Sequence, residues 1–95
     1  MTQHNKLREQ ALTYLKKYSL AGMVEDMSID SIHAMMRKHS AALKACDTFA
    51  KGKVIANEAL SKAMGVPIKV DQFIGDEKDQ QALYNVFVQW RDSVL

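Results

Sequence analysis

From Ile29 to Met64 the chain runs without proline, and its apolar and small residues return at three- and four-residue steps through Ile29, Ile32, Met36, Leu43, Cys46 and Ala50. This is the period of one helix face. His39 falls between Met36 and Leu43, at the step where an apolar residue is expected; a lone polar side chain in such a seam sets helix register or pairing. Nearer the start, Leu7, Ala11, Leu15 and Tyr18 form a stripe that predicts a helix over about 3–18, with Lys16 and Lys17 at the negative end of its dipole. Ser19 and Gly22 then loosen the chain. Leu20, Met23, Val24 and Met27 predict a short helical turn near 20–27, before Ser28 or Asp30 caps the next helix.

The end of that next helix turns on Gly52, which stands between two good helical patterns. One helix over the 36 residues Ile29 to Met64 would be about 54 Å long, whereas a domain of this size measures roughly 30 to 35 Å across. The favoured reading is a break at Lys51 to Lys53, giving helices over about 29–51 and 53–64; a continuous helix would demand a partner chain. Gly65 sits where a left-handed helix terminus is expected, and Pro67 stops any continuation. Ile68, Val70 and Phe73 lie in an extended or loop segment at 66–75. Gly75 and Asp76 open a last helix over about 77–94, acidic at its start and striped by Leu83, Val86, Phe87, Trp90 and Val94. The expected fold is therefore all-α, a small bundle of four helices forming a single domain over 1–95.

Composition narrows the class without naming a function. With 47% hydrophobic and 25% charged residues, the chain has the balance of a folding domain. No apolar run approaches the roughly 18 residues of a membrane span, and the polar start lacks the pattern of a secretory signal. These features, with Cys46 as the only cysteine, place the chain in a reducing cytoplasm as an expectation. A chain this short buries only about 60% of its unfolded surface, so self-association would add stability. Net charge is +2 but unevenly spread: Arg37 to Lys62 carries net +4, and Val70 to Leu95 carries net −3. Such opposition suits a homo-oligomer or a basic face for a polyanion.

Chemical constellations are sparse. His39 and Cys46 share a helix face but stand about 10.5 Å apart along it, too far to ligate one zinc ion. Asp26, Ser28 and Asp30 imitate the start of a calcium loop, yet Ser31 replaces its glycine and Arg37 its closing glutamate. The four glycines are isolated from one another, which excludes a glycine-rich phosphate loop. His33 or His39 with Asp30 or Glu25 could serve as acid and base, but no activated nucleophile accompanies them. The expectation is a non-enzymatic protein with no metal and no cofactor.

What remains is macromolecular binding. Methionine is suited to adaptable interfaces, and the neighbours Met35 and Met36 point about 100° apart on a helix, so the two serve different contacts. Met35, Met36 and His39, with the aromatic residues Tyr14, Tyr84 and Trp90, are the expected partner-binding residues of an inhibitor, adaptor or chaperone. The alternative is a nucleic-acid-binding regulator using the basic 37–69 region. Leu60-Ser61-Lys62-Ala63-Met64-Gly65-Val66 is similar to the first helix and turn of a helix-turn-helix, although Pro67 and Asp71 fall where the second helix should begin and be buried. On that alternative Lys51, Lys53, Lys62 and Lys69 would contact phosphates.

Overall fold

The computed structural model describes residues 3–95. Met1, Thr2 and the side chain of Met23, which the sequence places in the short turn near 20–27, lie outside the described residues. The chain is a small helical bundle, 76% helix with no strands among the described residues. Its α-helices are α1 (Gln3–Lys17), α2 (Ile29–Lys38), α3 (Ser40–Ala45), α4 (Phe49–Met64) and α5 (Glu77–Val94), with 3-10 turns at Ala21–Met23 and Val70–Gln72. The bundle measures 37 × 29 × 23 Å. A continuous helix of about 54 Å would overrun every one of those dimensions.

Local chemistry explains most of the helix ends. Ser28 caps α2 by accepting the Ser31 N–H, and Asp76 caps α5 by accepting those of Lys78 and Asp79. α4 stops at Gly65 in the left-handed conformation, φ 73°, as Gly65 and Pro67 in the sequence predict. α1 ends differently. Leu20 N–H bonds Leu15 O and Ser19 N–H bonds Lys16 O, a Schellman arrangement whose left-handed position, φ 60°, is held by Ser19.

The middle of the chain departs from the expected break at Gly52. The seam bends at His39, whose backbone leaves the helical region at φ −108°, ψ 26°, and α3 ends at Cys46. Thr48 then caps α4 by accepting the Lys51 N–H, so Gly52 lies inside α4. The break occurs without glycine or proline because α5 supplies the donors that a finished helix needs. Arg91 Nη1 donates to Leu43 O at 3.2 Å and to Cys46 O at 2.7 Å, and Tyr84 OH donates to Cys46 O at 2.8 Å. Gly52 serves packing instead: a Cβ there would stand 2.8 Å from Tyr84 Cε1.

α5 is the central element, packed on α1, α2 and α4. Leu7, Ile32, Val86 and Trp90 form the buried cluster, with Ala11, Met27, Ile29, Met36 and Val94 packed against it. An ion-pair network fastens α1 to the start of α5: Asp79 accepts from Lys17 at 2.6 Å and from Tyr18 OH at 2.5 Å, and these bonds hold its carboxyl below the usual range. The 66–75 segment is a loop around a 3-10 turn, tied to α4 by Asn57 Oδ1 on Val70 N–H and by Ser61 on both backbone groups of Ile68. No helix among the described residues is long and apolar enough to cross a membrane.

Candidate protein-binding groove

Where α1, α2, α3 and α5 converge they leave a groove of about 190 Å³. Ala11 of α1, Ile32 and Met36 of α2 and Leu43 of α3 form three sides of it; Leu83, Val86, Phe87 and Trp90 of α5 form the fourth. The groove follows from two sequence stripes, Ile32–Met36–Leu43 and Leu83–Val86–Phe87–Trp90, that face each other without filling the space between them. The bend at His39 turns α3 so that Leu43 reaches the rim. Every lining side chain is carbon or thioether except for the indole N–H of Trp90.

That N–H is spent elsewhere. Trp90 Nε1 donates to His33 Nε2 at 2.8 Å, and both residues are buried, Trp90 8% and His33 7% exposed. The bond requires His33 to keep Nε2 as an acceptor, so its proton sits on Nδ1. His4 of α1 meets the His33 ring edge-on, with centroids 4.4 Å apart, and its own Nε2 lies 3.0 Å from Ser93 Oγ. Burial lowers the His33 pKa below its ordinary 6.5; His4 and Arg37 act in the same direction, and Asp30 opposes them. Neutral His33 therefore turns the single polar atom of Trp90 away from the groove and leaves an apolar wall.

The expected partner-binding residues divide between the groove and other places. Met36 and Trp90 line it. Met35 is 45% exposed, on the side of α2 turned away from Met36, and His39 is exposed at the α2–α3 bend rather than embedded in the seam. Tyr84 lies apart: its hydroxyl is committed to Cys46 O and its ring to Phe49 and Phe87. Tyr14 is half-buried on α1. Ala11, Leu43, Leu83 and Phe87 are groove residues that sequence reading did not single out as partner contacts. Their signal was the stripe spacing, which equally describes core residues.

The remaining chemistry sits in structural roles. Cys46 is buried, with its thiol donating to Ala42 O at 3.3 Å, and burial pushes its pKa up. Among the described residues no group of three or more His, Cys, Asp or Glu side chains comes together in a metal-holding arrangement. Of the four lysines expected on a phosphate-binding face, Lys51 pairs with Asp47 at 3.1 Å and Lys53 with Asp71 at 2.8 Å. Lys62 and Lys69 line an open cleft of about 620 Å³ between α4 and the 66–75 segment, where Glu58 also stands. After Gly65 no α-helix begins before Glu77, so the residues similar to a helix-turn-helix lack an adjoining recognition helix. Comparison of the chain with protein-family models, with curated proteins and with solved structures finds no match.

Proposed function

We propose that this chain is a non-enzymatic protein-binding module, self-associating, that seats an apolar side chain of a partner protein in the groove between α2, α3 and α5. The observation that carries the reading is the groove's lining: about 190 Å³ of space walled by carbon and thioether, with its one polar atom turned to His33. Apolar cavities of about 150 Å³ accept a molecule the size of benzene, so the space suits one leucine, methionine or phenylalanine side chain. Met36 in the wall adds adaptability, because an unbranched thioether repacks around differently shaped guests.

One such anchor contributes only about 1.5–3 kcal/mol, so a useful affinity needs contacts beyond the groove. Met35 and His39 are exposed outside the groove, on α2 and at its end, and offer a second contact surface. Self-association supplies the rest: two copies present two grooves, and a divalent partner gains effective concentration without any new contact.

The test is affinity capture from the native cell with quantitative mass spectrometry, comparing the wild type with Leu43→Lys, each with and without nuclease. Leu43 lines the groove but stands outside the Leu7–Ile32–Val86–Trp90 cluster, so the change charges the groove and spares the core. The expected outcome is a protein partner that survives nuclease and is lost from the variant. The same partners on both proteins would refute the groove. Loss of all captured material on nuclease treatment would favour nucleic-acid binding through Lys51, Lys53, Lys62 and Lys69.

A further inference from the structure

The cleft of about 620 Å³ between α4 and the 66–75 segment shares no residue with the apolar groove. Its size falls within the roughly 300–1,000 Å³ of small-molecule sites. Hydrogen bonds fasten the segment to the helix and so hold the cleft in shape. Ser61 Oγ accepts from Ile68 N–H at 2.9 Å and donates to Ile68 O at 3.0 Å, and Asn57 Oδ1 accepts from Val70 N–H at 2.7 Å. Pro67 and Ile68 give the cleft a carbon wall.

The same bonds fix which polar atoms remain for a guest. A backbone N–H takes only an acceptor, so Asn57 turns Oδ1 to Val70, and Gln72 turns Oε1 to Lys69 N–H at 3.2 Å. Each amide is left with its NH2 group, a donor. Lys62 and Lys69 add two ammonium groups, and neither joins an ion pair among the described residues. Asp71 does not compete for them: it lies outside the lining and is bound by Lys53 and by Gln80, each at 2.8 Å. Against these donors stands one carboxylate, Glu58.

We propose that this cleft binds a small organic carboxylate with an apolar body. Its carboxylate meets Lys62, Lys69 and the two amide NH2 groups, and its body lies on Pro67 and Ile68. Two ammonium groups and Glu58 leave one positive charge, which a monoanion balances; a phosphate dianion would exceed it and be repelled by Glu58. A carboxylate also has acceptor sites enough for all of these donors. The methylene stems of the lysines continue the carbon wall beside it. This site is separate from the groove and does not depend on the protein partner proposed for it.

Nitrogen-edited NMR titration of the full chain tests the proposal, because the side-chain amides of Asn57 and Gln72 give their own signals. The probes are benzoate, its uncharged isostere benzamide, and inorganic phosphate. Benzoate should produce a saturable shift on those two amides and on the backbone of residues 66–72. Benzamide should bind about fivefold more weakly, and phosphate should give no saturable shift. Lys69→Gln should weaken benzoate about fivefold and Glu58→Gln should tighten it about threefold, while Lys16→Gln, on α1, should leave it unchanged. All three positions are exposed, and circular dichroism checks that each variant stays folded. Benzoate shifts that never saturate, or that Lys69→Gln and Lys16→Gln weaken alike, would reduce the cleft to a diffuse cationic surface and overturn the proposal. Phosphate binding as tightly as benzoate would show an adventitious ion only, and benzamide binding as tightly would show apolar contact only; either result overturns it too.

Discussion

Replacing Gly52 with alanine sets two effects of opposite sign against each other. In an exposed helix interior the change would stabilise by about 1 kcal/mol, because alanine loses less backbone freedom. At this position the added Cβ stands 2.8 Å from Tyr84 Cε1, 3.2 Å from Cδ1 and 3.7 Å from Cys46 Cβ. Carbon atoms pack at about 3.5–4.0 Å, so the tyrosine ring must retreat by roughly 1 Å. It is poorly placed to do so: its hydroxyl holds Cys46 O at 2.8 Å, and its ring lies against Phe49 and Phe87. Overpacking costs about 1–3 kcal/mol and a lost hydrogen bond about 0.5–1.5 kcal/mol. The expected net effect is a loss of about 1–3 kcal/mol. For a chain of 95 residues each kcal/mol lowers Tm by about 4–8 °C. Urea and thermal unfolding followed by circular dichroism measure it. The decisive companion is the same substitution in a Tyr84→Ala background, where Arg91 still binds Cys46 O. There the clash is gone, and Gly52→Ala should stabilise by about 1 kcal/mol. If Gly52→Ala is neutral or stabilising with Tyr84 present, the close packing of α4 on α5 is refuted.

His33 is neutral when folded and its pKa lies below 6.5, so above that pH it takes no proton in either state. As pH falls through 6.5 the unfolded chain protonates first, and stability drops until the folded-state pKa is passed. His33→Gln, which retains an acceptor for Trp90, should flatten this slope between pH 7.5 and 5, whereas His33→Phe should cost about 1–3 kcal/mol by leaving the indole N–H unpaired; an unchanged slope in His33→Gln, read by urea unfolding, refutes the assignment. Ser19 occupies a left-handed position at φ 60°, and Ser19→Gly should raise stability by about 1 kcal/mol in thermal denaturation; a lower Tm would count against the α1 terminus described here. Cys46, buried with its pKa pushed up, should react with an aromatic disulfide reagent only as fast as the protein opens, and immediate labelling at neutral pH would contradict its burial.

Much of the fold is legible in the sequence because helix periodicity and helix caps are local. The stripes of α1 and α5 put Leu7, Val86 and Trp90 inside, and Ser28, Gly65 with Pro67, and Asp76 mark the start of α2, the end of α4 and the start of α5 by chemistry that reaches no more than four residues. The same reasoning misplaces the break in the long seam. Gly52 looks like the weakest helix former there, but the hydrogen bonds that end α3 come from Tyr84 and Arg91, about forty residues away in sequence and invisible to any local window.

The candidate site divides in the same way. Periodicity identifies Met36, Leu43, Leu83 and Phe87 as inward-facing, and adjacency on a helix says that Met35 and Met36 must point apart. It does not say that two inward stripes stop short of each other and leave a groove. Nor does it say that Trp90 gives its N–H to His33, which makes that groove apolar. By itself the sequence determined an all-helical chain, most of its boundaries and which residues face inward, because those properties follow from spacing along a single helix. Tertiary structure alone decided where the seam breaks, why a glycine sits inside α4 and which apolar face stays uncovered, because each depends on a side chain that α5 brings from far along the chain.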